Sequence, residues 1–414
     1  MANNPMNAVS TTQDSRYSWF RLAVSLALAT IGGIGIWAGI VVLPFIQVEF
    51  GVDRSGASFP YTMSMIGFAL GGVLMGRLAD RFGIMVPMFI GSIMLGLGFI
   101  ASALSPNYWT YVASQAFLIG LGCATIFGPL VADVSLWFQK RRGIAVAIGA
   151  SGNYIAGTIW PPILTWGIQT YGWRSAYIAL GLLTVSLMLP LSLFLRRRAS
   201  LDERPSPSIA ARNGGQAPDG TPVLQGLLIL AGLACCVAMS MPQVHIIAYC
   251  GNLGYGPARG AEMLSLMLGF GVVSRLAFGF IADRIGGVKT LIIGSFLQCL
   301  ALLFYIPFDG LASLYVVSAF FGLAQGGIVP SYALIVRDHF PAREAGTRIS
   351  LVLTATVLGM ALGGWLSGEI FDLTGSYQAA FLHGIAWNLL NMGIAFWLLM
   401  GRKQPHPPAI SAAR

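Results

Sequence analysis

Long apolar runs govern what this chain can become. Twelve of them follow one another with short polar breaks, most reaching the ~20 residues that a helix needs to cross a hydrocarbon core of ~30 Å. They lie at about 19–47, 57–77, 84–104, 107–137, 143–170, 174–196, 222–250, 257–281, 288–306, 309–338, 347–373 and 376–401. Only 9% of the residues are charged and 56% are hydrophobic, with a mean hydropathy of +0.74. A soluble domain carries roughly a quarter of its residues as Asp, Glu, Lys and Arg, so this chain cannot cover a water-facing surface. The expected fold is an all-α membrane protein with twelve transmembrane helices.

The net charge of +9 gains its meaning from placement. With both termini cytoplasmic, 20 of the 24 lysines and arginines fall on that side, three (Arg54, Arg174, Arg259) on the other, and Arg275 within the membrane. This is the bias of the positive-inside rule. Basic residues in short loops set orientation, which argues against nucleic acid as a partner. A multi-pass protein of the plasma (cell inner) membrane with cytoplasmic termini is expected. The run beginning at Trp19 is too long for a signal-peptide core and is expected to remain as helix 1. Cys123, Cys235, Cys236, Cys250 and Cys299 lie in or at the ends of apolar runs without metal-ligand spacing, so they read as small packing residues.

The two halves of the chain repeat each other. Gly76-Arg-Leu-Ala-Asp-Arg-Phe-Gly83 recurs as Gly279-Phe-Ile-Ala-Asp-Arg-Ile-Gly286, with Asp80 and Asp283 separated by 203 positions. Gly120 and Gly322, Phe138 and Phe340, and Gly172 and Gly375 keep the same offset to within one residue. A duplicated six-helix unit follows, 1–198 and 222–414, joined by a Pro-, Ser-, Gly- and charge-rich linker at 199–221. Each unit has an even number of helices, so the two have the same orientation, and a substrate pathway is expected at their interface.

Arg275 is the one charge deep inside a run, and no acidic residue lies in the apolar part of any run. An arginine in hydrocarbon costs at least ~2.5 kcal/mol and persists where it faces a protein-lined cavity with an anionic or dipolar partner. The missing counter-ion is then a substrate. Arg275 precedes Asp283 by eight residues, which is ~12 Å of helix and too deep for easy snorkelling. A planar guanidinium fork matches a carboxylate, so an organic anion is the natural ligand. A structural arginine bonded to backbone carbonyls is the alternative.

Other polar residues share that depth. Asn153 and Gln325 fall near the membrane centre, while Tyr61, Gln115 and Tyr332 lie nearer the ends of their runs. Buried without partners such groups cost ~1–3 kcal/mol each, so they are expected to face one another or a wet cavity as substrate-binding groups, or to act as glue between helices. His245 and Gln243 follow Pro242, which loosens its helix. They form a candidate proton-coupling site or outer gate; an ordinary hydrogen-bonded histidine is the other reading.

The duplicated Gly-X-X-Ala-Asp-Arg-X-Gly loop, the twelve runs and the central linker resemble the major facilitator superfamily over almost the whole length. The resemblance implies two pseudo-symmetric six-helix bundles. It implies that the duplicated loops form a cytoplasmic gate, with Asp80 and Asp283 bonding to neighbouring helix ends in the outward-facing state while Arg81 and Arg284 hold the loops. It also places helices 2 with 11 and 5 with 8 at the interface between halves, and these four carry closely spaced glycines that let backbones approach in lipid.

Within that family, an arginine at this place in helix 8, followed by Gly279 and the Asp-Arg loop, looks like the monocarboxylate transporter and oxalate–formate exchanger group. The exchangers add a lysine inside helix 11 for a second carboxylate; Ser350 to Gly364 contains none. One buried cation suits one carboxylate. The animal carriers place an acidic residue one turn before the arginine and a lysine in helix 1, whereas here the first is Gly271 and helix 1 has no lysine. Proton coupling would then run through the substrate or His245. The expected activity is secondary active transport of a small organic anion, a monocarboxylate, by a monomer, with protons as a candidate co-substrate. A dicarboxylate, a larger organic anion or a drug as cargo, and a non-transporting receptor, are the alternatives. No metal motif, paired carboxylates or nucleotide-binding loop is present, so neither an enzyme nor a cofactor is expected.

Overall fold

The computed structural model describes residues 14–138, 141–198 and 221–401, so the expected linker lies outside the described residues apart from Thr221. The described chain is helical with no strand. The helices are α1 (Arg16–Phe50), α2 (Arg54–Phe82), α3 (Met85–Ala103), α4 (Tyr108–Leu136), α6 (Trp173–Leu193), α7 (Pro222–Asn252), α8 (Pro257–Ile285), α9 (Gly287–Phe304), α10 (Leu311–His339), α11 (Ala342–Thr374) and α12 (Tyr377–Gly401). These eleven are long and apolar enough to cross a membrane. Between α4 and α6 lies α5, in two pieces, Arg142–Ala150 and Gly152–Tyr171, the second carrying Pro161 and Pro162.

Helices overrun the apolar runs by a turn or so, because polar ends remain helical where caps support them. Asp53 opens α2 by accepting from the Gly56 N–H at 2.8 Å. Thr221 does the same for α7, with Pro222 in its first turn, where the missing N–H has no partner to lose. The duplication is exact enough to be seen in the backbone. Gly83 ends α2 at φ 81°, ψ 163°, and Gly286 ends α8 at φ 82°, ψ 164°. Both sit in the left-handed region that only glycine enters at no steric cost.

Several helices are broken near mid-length. α4 passes through a wide turn at Gln115–Gly120 and a tight one at Ala124–Ile126. Its repeat mate α10 breaks between Gln325 and Ile328. α1 breaks at Gly33 and α5 at Ser151, and the two breaks touch: a β-carbon on Gly33 would lie 2.6 Å from Ala156, and one on Gly152 2.4 Å from Ala29.

The halves meet through α2 with α11 and α5 with α8. One face of the molecule carries the duplicated Asp-Arg loops and is here called the basic face; the opposite face carries the turns at 51–53, 172, 253–256 and 375. Towards the opposite face the halves touch. Gly364 lies against Tyr61, Thr62 donates to the Ala361 carbonyl at 2.9 Å, and Ser265 donates to the Thr158 carbonyl. Towards the basic face they part. Gly72 and Gly76 continue the same stripe of α2, and Gly279 the same stripe of α8, yet a β-carbon on any of the three would meet nothing within 4 Å. The interface is therefore shut at the opposite face and open at the basic face.

Arg275 is not the only arginine drawn inside. Arg21, counted from sequence among the basic loop residues, is 1% exposed. Its Nε and Nη2 donate to the Asp133 carboxylate at 2.9 and 3.0 Å, Nη1 and Nη2 also donate to the Arg197 and Leu195 carbonyls, and the guanidinium lies 4.6 Å from the Trp137 ring centroid. One side chain thus ties the start of α1 to the end of α4 and the segment after α6.

Candidate functional site

Arg275 lies on α8 where that helix faces α5 of the other half. Its Nη1 donates to the Ala150 carbonyl at 3.0 Å, and its guanidinium carbon lies 4.5 Å from the Tyr154 ring centroid. The break at Ser151 makes Ala150 the last residue of a helical piece, whose end carbonyls lack intrahelical donors and carry partial negative charge. The cation is held between a helix C-terminus and an aromatic face, a contact worth ~0.5–2 kcal/mol. Its fork is only partly used: Nε is buried without a partner. No carboxylate among the described residues forms an ion pair with it.

One turn along α8, Gly271 sits between the Tyr154 ring and the Gln325 amide; a β-carbon there would lie 2.7 Å from the ring and 3.4 Å from Gln325 Nε2. Gln325 is the last residue before the α10 break and accepts a hydrogen bond from Gln243 Nε2. Gly326 presses on α8 at Arg275, and its N–H donates to Ser274 Oγ at 3.1 Å. Asn153, three residues beyond Ala150, accepts from Trp37 Nε1 at its backbone carbonyl, 3.0 Å away. Two donors at this layer, Arg275 Nε and Gln325 Nε2, are buried without a partner among the described residues, and so is one acceptor on the α1 side of α5, Asn153 Oδ1. Buried polar groups normally have partners, so this set calls for a ligand or ordered water. A groove of about 400 Å³ lined by Thr158, Pro162, Glu262, Ser265 and Phe270 lies further along the α5–α8 seam and does not include Arg275.

The structure sorts the residues singled out from sequence into separate places. Arg275 and Gln325 come together at the break layer around Gly271 and Gly326, and Gln243 joins Gln325 rather than forming a unit with His245, while the Asn153 side chain faces Gly33 of α1. Gln115 instead bonds within the first half, donating to Ser102 Oγ at 3.4 Å and accepting from Ser64 Oγ at 3.3 Å. Tyr332 is buried within the second half, donating to the Ala231 carbonyl at 3.0 Å and bonded to Asn391 at 2.7 Å. Neither reaches Arg275; both act as glue between helices. Tyr61 packs on Gly364, whose carbonyl lies 2.7 Å from His245 Nε2, while His245 Nδ1 is 3.2 Å from the Tyr377 hydroxyl. With a carbonyl at one nitrogen and a hydroxyl at the other, His245 is a fully bonded histidine just inside the shut face. Asp80, Arg81, Asp283 and Arg284 are exposed at the open basic face, with no ion pair to a described residue.

Tyr154, Arg21 and Asp133 escaped the sequence reading. Tyr154 looked like one more membrane aromatic; the only hint is its position four residues after Ala150, on the same helical face. Arg21 and Asp133 are far apart in sequence and near helix ends, so nothing local marks them as a pair.

The sequence model of the Major Facilitator Superfamily matches residues 25–311 and 227–414. The monocarboxylate transporter 13 of Bos taurus is 25% identical, over 78% of this chain and 75% of its own. The agnestins efflux protein of Paecilomyces divaricatus is also 25% identical, over 86% of this chain and 80% of its own. A crystal structure of a bacterial homologue of the human lysosomal transporter Spinster, inward-facing and unoccupied, matches with a TM-score of 0.67 at 14% identity, covering 93% of this chain and 95% of that one.

Proposed function

The chain belongs to the major facilitator superfamily, and from that membership we propose that it is a secondary active transporter of a small organic anion, a monocarboxylate first of all, working by alternating access. The observation that carries the cargo class is Arg275. It is a half-buried cation at the interface between halves, and among the described residues its Nε has no partner and no carboxylate is bonded to it. A carboxylate that bonds this edge of the fork neutralises the site, with the free amide of Gln325 as a second donor.

The 20-to-3 charge asymmetry supports a cytoplasmic basic face, and on that reading the conformation described is open to the cytoplasm, with both termini in that compartment at the plasma membrane. The bodies that rock are residues 1–198 and 222–414, joined through 199–221. Closing the cytoplasmic side would bring the stripes at Gly72, Gly76 and Gly279 against the facing half and engage the loops of Asp80, Arg81, Asp283 and Arg284. Protons, if they are carried, move with the substrate or through His245. The working unit is the monomer in the lipid bilayer.

A second reading has its own support. Arg275 already has a carbonyl and a ring as partners, so it also fits a structural arginine in an exporter of larger organic anions, in keeping with the efflux relative. A thermal-shift screen of purified protein separates the two, since a ligand at a hundred times its Kd stabilises the folded state by ~2.7 kcal/mol. Small monocarboxylates are expected to raise Tm while amines and dicarboxylates do not. Stabilisation by bulky amphiphilic acids alone would replace the proposal with the second reading.

A further inference from the structure

At the face opposite the basic loops, a carboxylate of one half caps a helix of the other. Asp372, near the end of α11, accepts from the backbone N–H of Arg54 at 2.9 Å and of Ser55 at 2.7 Å, one with each oxygen. These are the first two N–H groups of α2, which have no intrahelical acceptor and lie at the positive end of the helix dipole. Asp53, the cap residue belonging to α2 itself, takes the Gly56 N–H, so the donors of this first turn are divided between the two halves. The Arg54 guanidinium reaches across as well, donating to Asn252 Oδ1 at 2.9 Å at the end of α7 and lying 5.2 Å from the Phe371 ring centroid. One turn along α11, a β-carbon on Gly368 would lie 2.7 Å from the Ser55 Cα, so glycine alone allows this approach.

The duplicated side of the molecule lacks the device. At the 203-residue offset, Gln169 stands in place of Asp372, and Pro257, which has no N–H, stands in place of Arg54. The α5–α8 seam is joined instead by side chain to carbonyl contacts such as Ser265 to Thr158. Asp372 is itself exposed, so water can take over its hydrogen bonds when the halves separate. That makes the contact reversible at low cost.

We propose that the Asp372 carboxylate on the α2 N-terminus is a one-sided latch that holds the opposite face shut, and that its strength sets the balance between this conformation and one open at the opposite face. The proposal rests on the alternating-access reading but not on the identity of the cargo.

Spin labels on Thr170→Cys at the end of α5 and Gln378→Cys at the start of α12, both exposed at the opposite face, report the separation of the halves by pulsed electron–electron resonance in ligand-free nanodiscs. Asp372→Ala is expected to raise the ratio of long to short distances by about three- to tenfold. Ser55→Pro removes one donor at a first-turn position where proline is tolerated; it should shift the ratio the same way and add little to Asp372→Ala, because both act on one contact. Glu369→Gln, one turn before on the same helix, should leave the ratio unchanged. An unchanged distribution in Asp372→Ala, or full additivity with Ser55→Pro, overturns the latch. Because no ligand is added, neither outcome depends on what the protein carries.

Discussion

Gly271 and Tyr154 occupy one space: a β-carbon on the glycine would fall 2.7 Å from two ring carbons of the tyrosine. The tyrosine ring fills, with a neutral surface, the position one turn from Arg275 where a side chain on α8 would stand. A protein carboxylate at 271 has no room, which is in keeping with the proposal that an external anion partners the cation.

The first prediction follows from that crowding. Gly271→Ala should displace the Tyr154 ring at a cost of ~1–3 kcal/mol and raise the uptake KM by roughly tenfold. Replacing Tyr154 with alanine in the same protein should recover much of the loss by restoring room. A Gly271→Ala carrier with unchanged KM would show that the ring is free to move and does not position the guanidinium.

Gating supplies the second. Asp80 and Asp283 are exposed and form no ion pair with a described residue in the conformation open at the basic face, so their contribution should come only when that face closes. Asp80→Asn and Asp283→Asn are expected to slow turnover several-fold while ligand affinity, read by thermal shift, stays within about twofold. Normal turnover in both variants removes the gate assignment.

A third concerns stability. Arg21 and Asp133 form a buried pair at 2.9 Å, and removing one partner of such a pair typically costs ~3–5 kcal/mol. Asp133→Asn should lower Tm markedly, whereas Arg21→Met combined with Asp133→Leu should recover most of the loss. Equal melting of Asp133→Asn and the parent would mean that the pair is not holding α1, α4 and the end of α6 together.

The fourth separates glue from pocket. Tyr332→Phe leaves the Asn391 side chain and the Ala231 carbonyl without the hydroxyl they bond, at ~1–3 kcal/mol of stability. Transport KM should not move. A large KM change with an unchanged Tm would return Tyr332 to the binding site.

The helices and their duplication were legible because they rest on local signals: run length, the Asp-Arg loops at a 203-residue offset, and glycines at the helix ends. Arg275 was legible because a charge in an apolar run needs a reason. Depth alone could not separate Gln325, which ends at the Arg275 layer, from Tyr332, two turns on and turned into its own bundle, since that depends on which way a broken helix faces. The breaks at Gly33 and Ser151 fall on Gly-Gly and Ser-Gly steps, but glycines are common throughout these apolar runs, so the steps did not stand out, and the break at Ser151 decides that the Ala150 carbonyl is available to Arg275. Tyr154 became visible only once α5 and α8 were in contact.

The most direct test is uptake by reconstituted Arg275 variants across a panel of small monocarboxylates. Loss of the guanidinium removes charge-assisted hydrogen bonds worth ~1.5–3 kcal/mol, roughly ten- to a hundredfold in affinity. Lysine, a more strongly hydrated point charge, should replace the fork poorly. Uptake should be abolished in Arg275→Ala and sharply reduced in Arg275→Lys, with both proteins folded and present in the membrane. Near-native affinity for a carboxylate in Arg275→Ala would contradict this and leave Arg275 as a structural tie between α8 and α5.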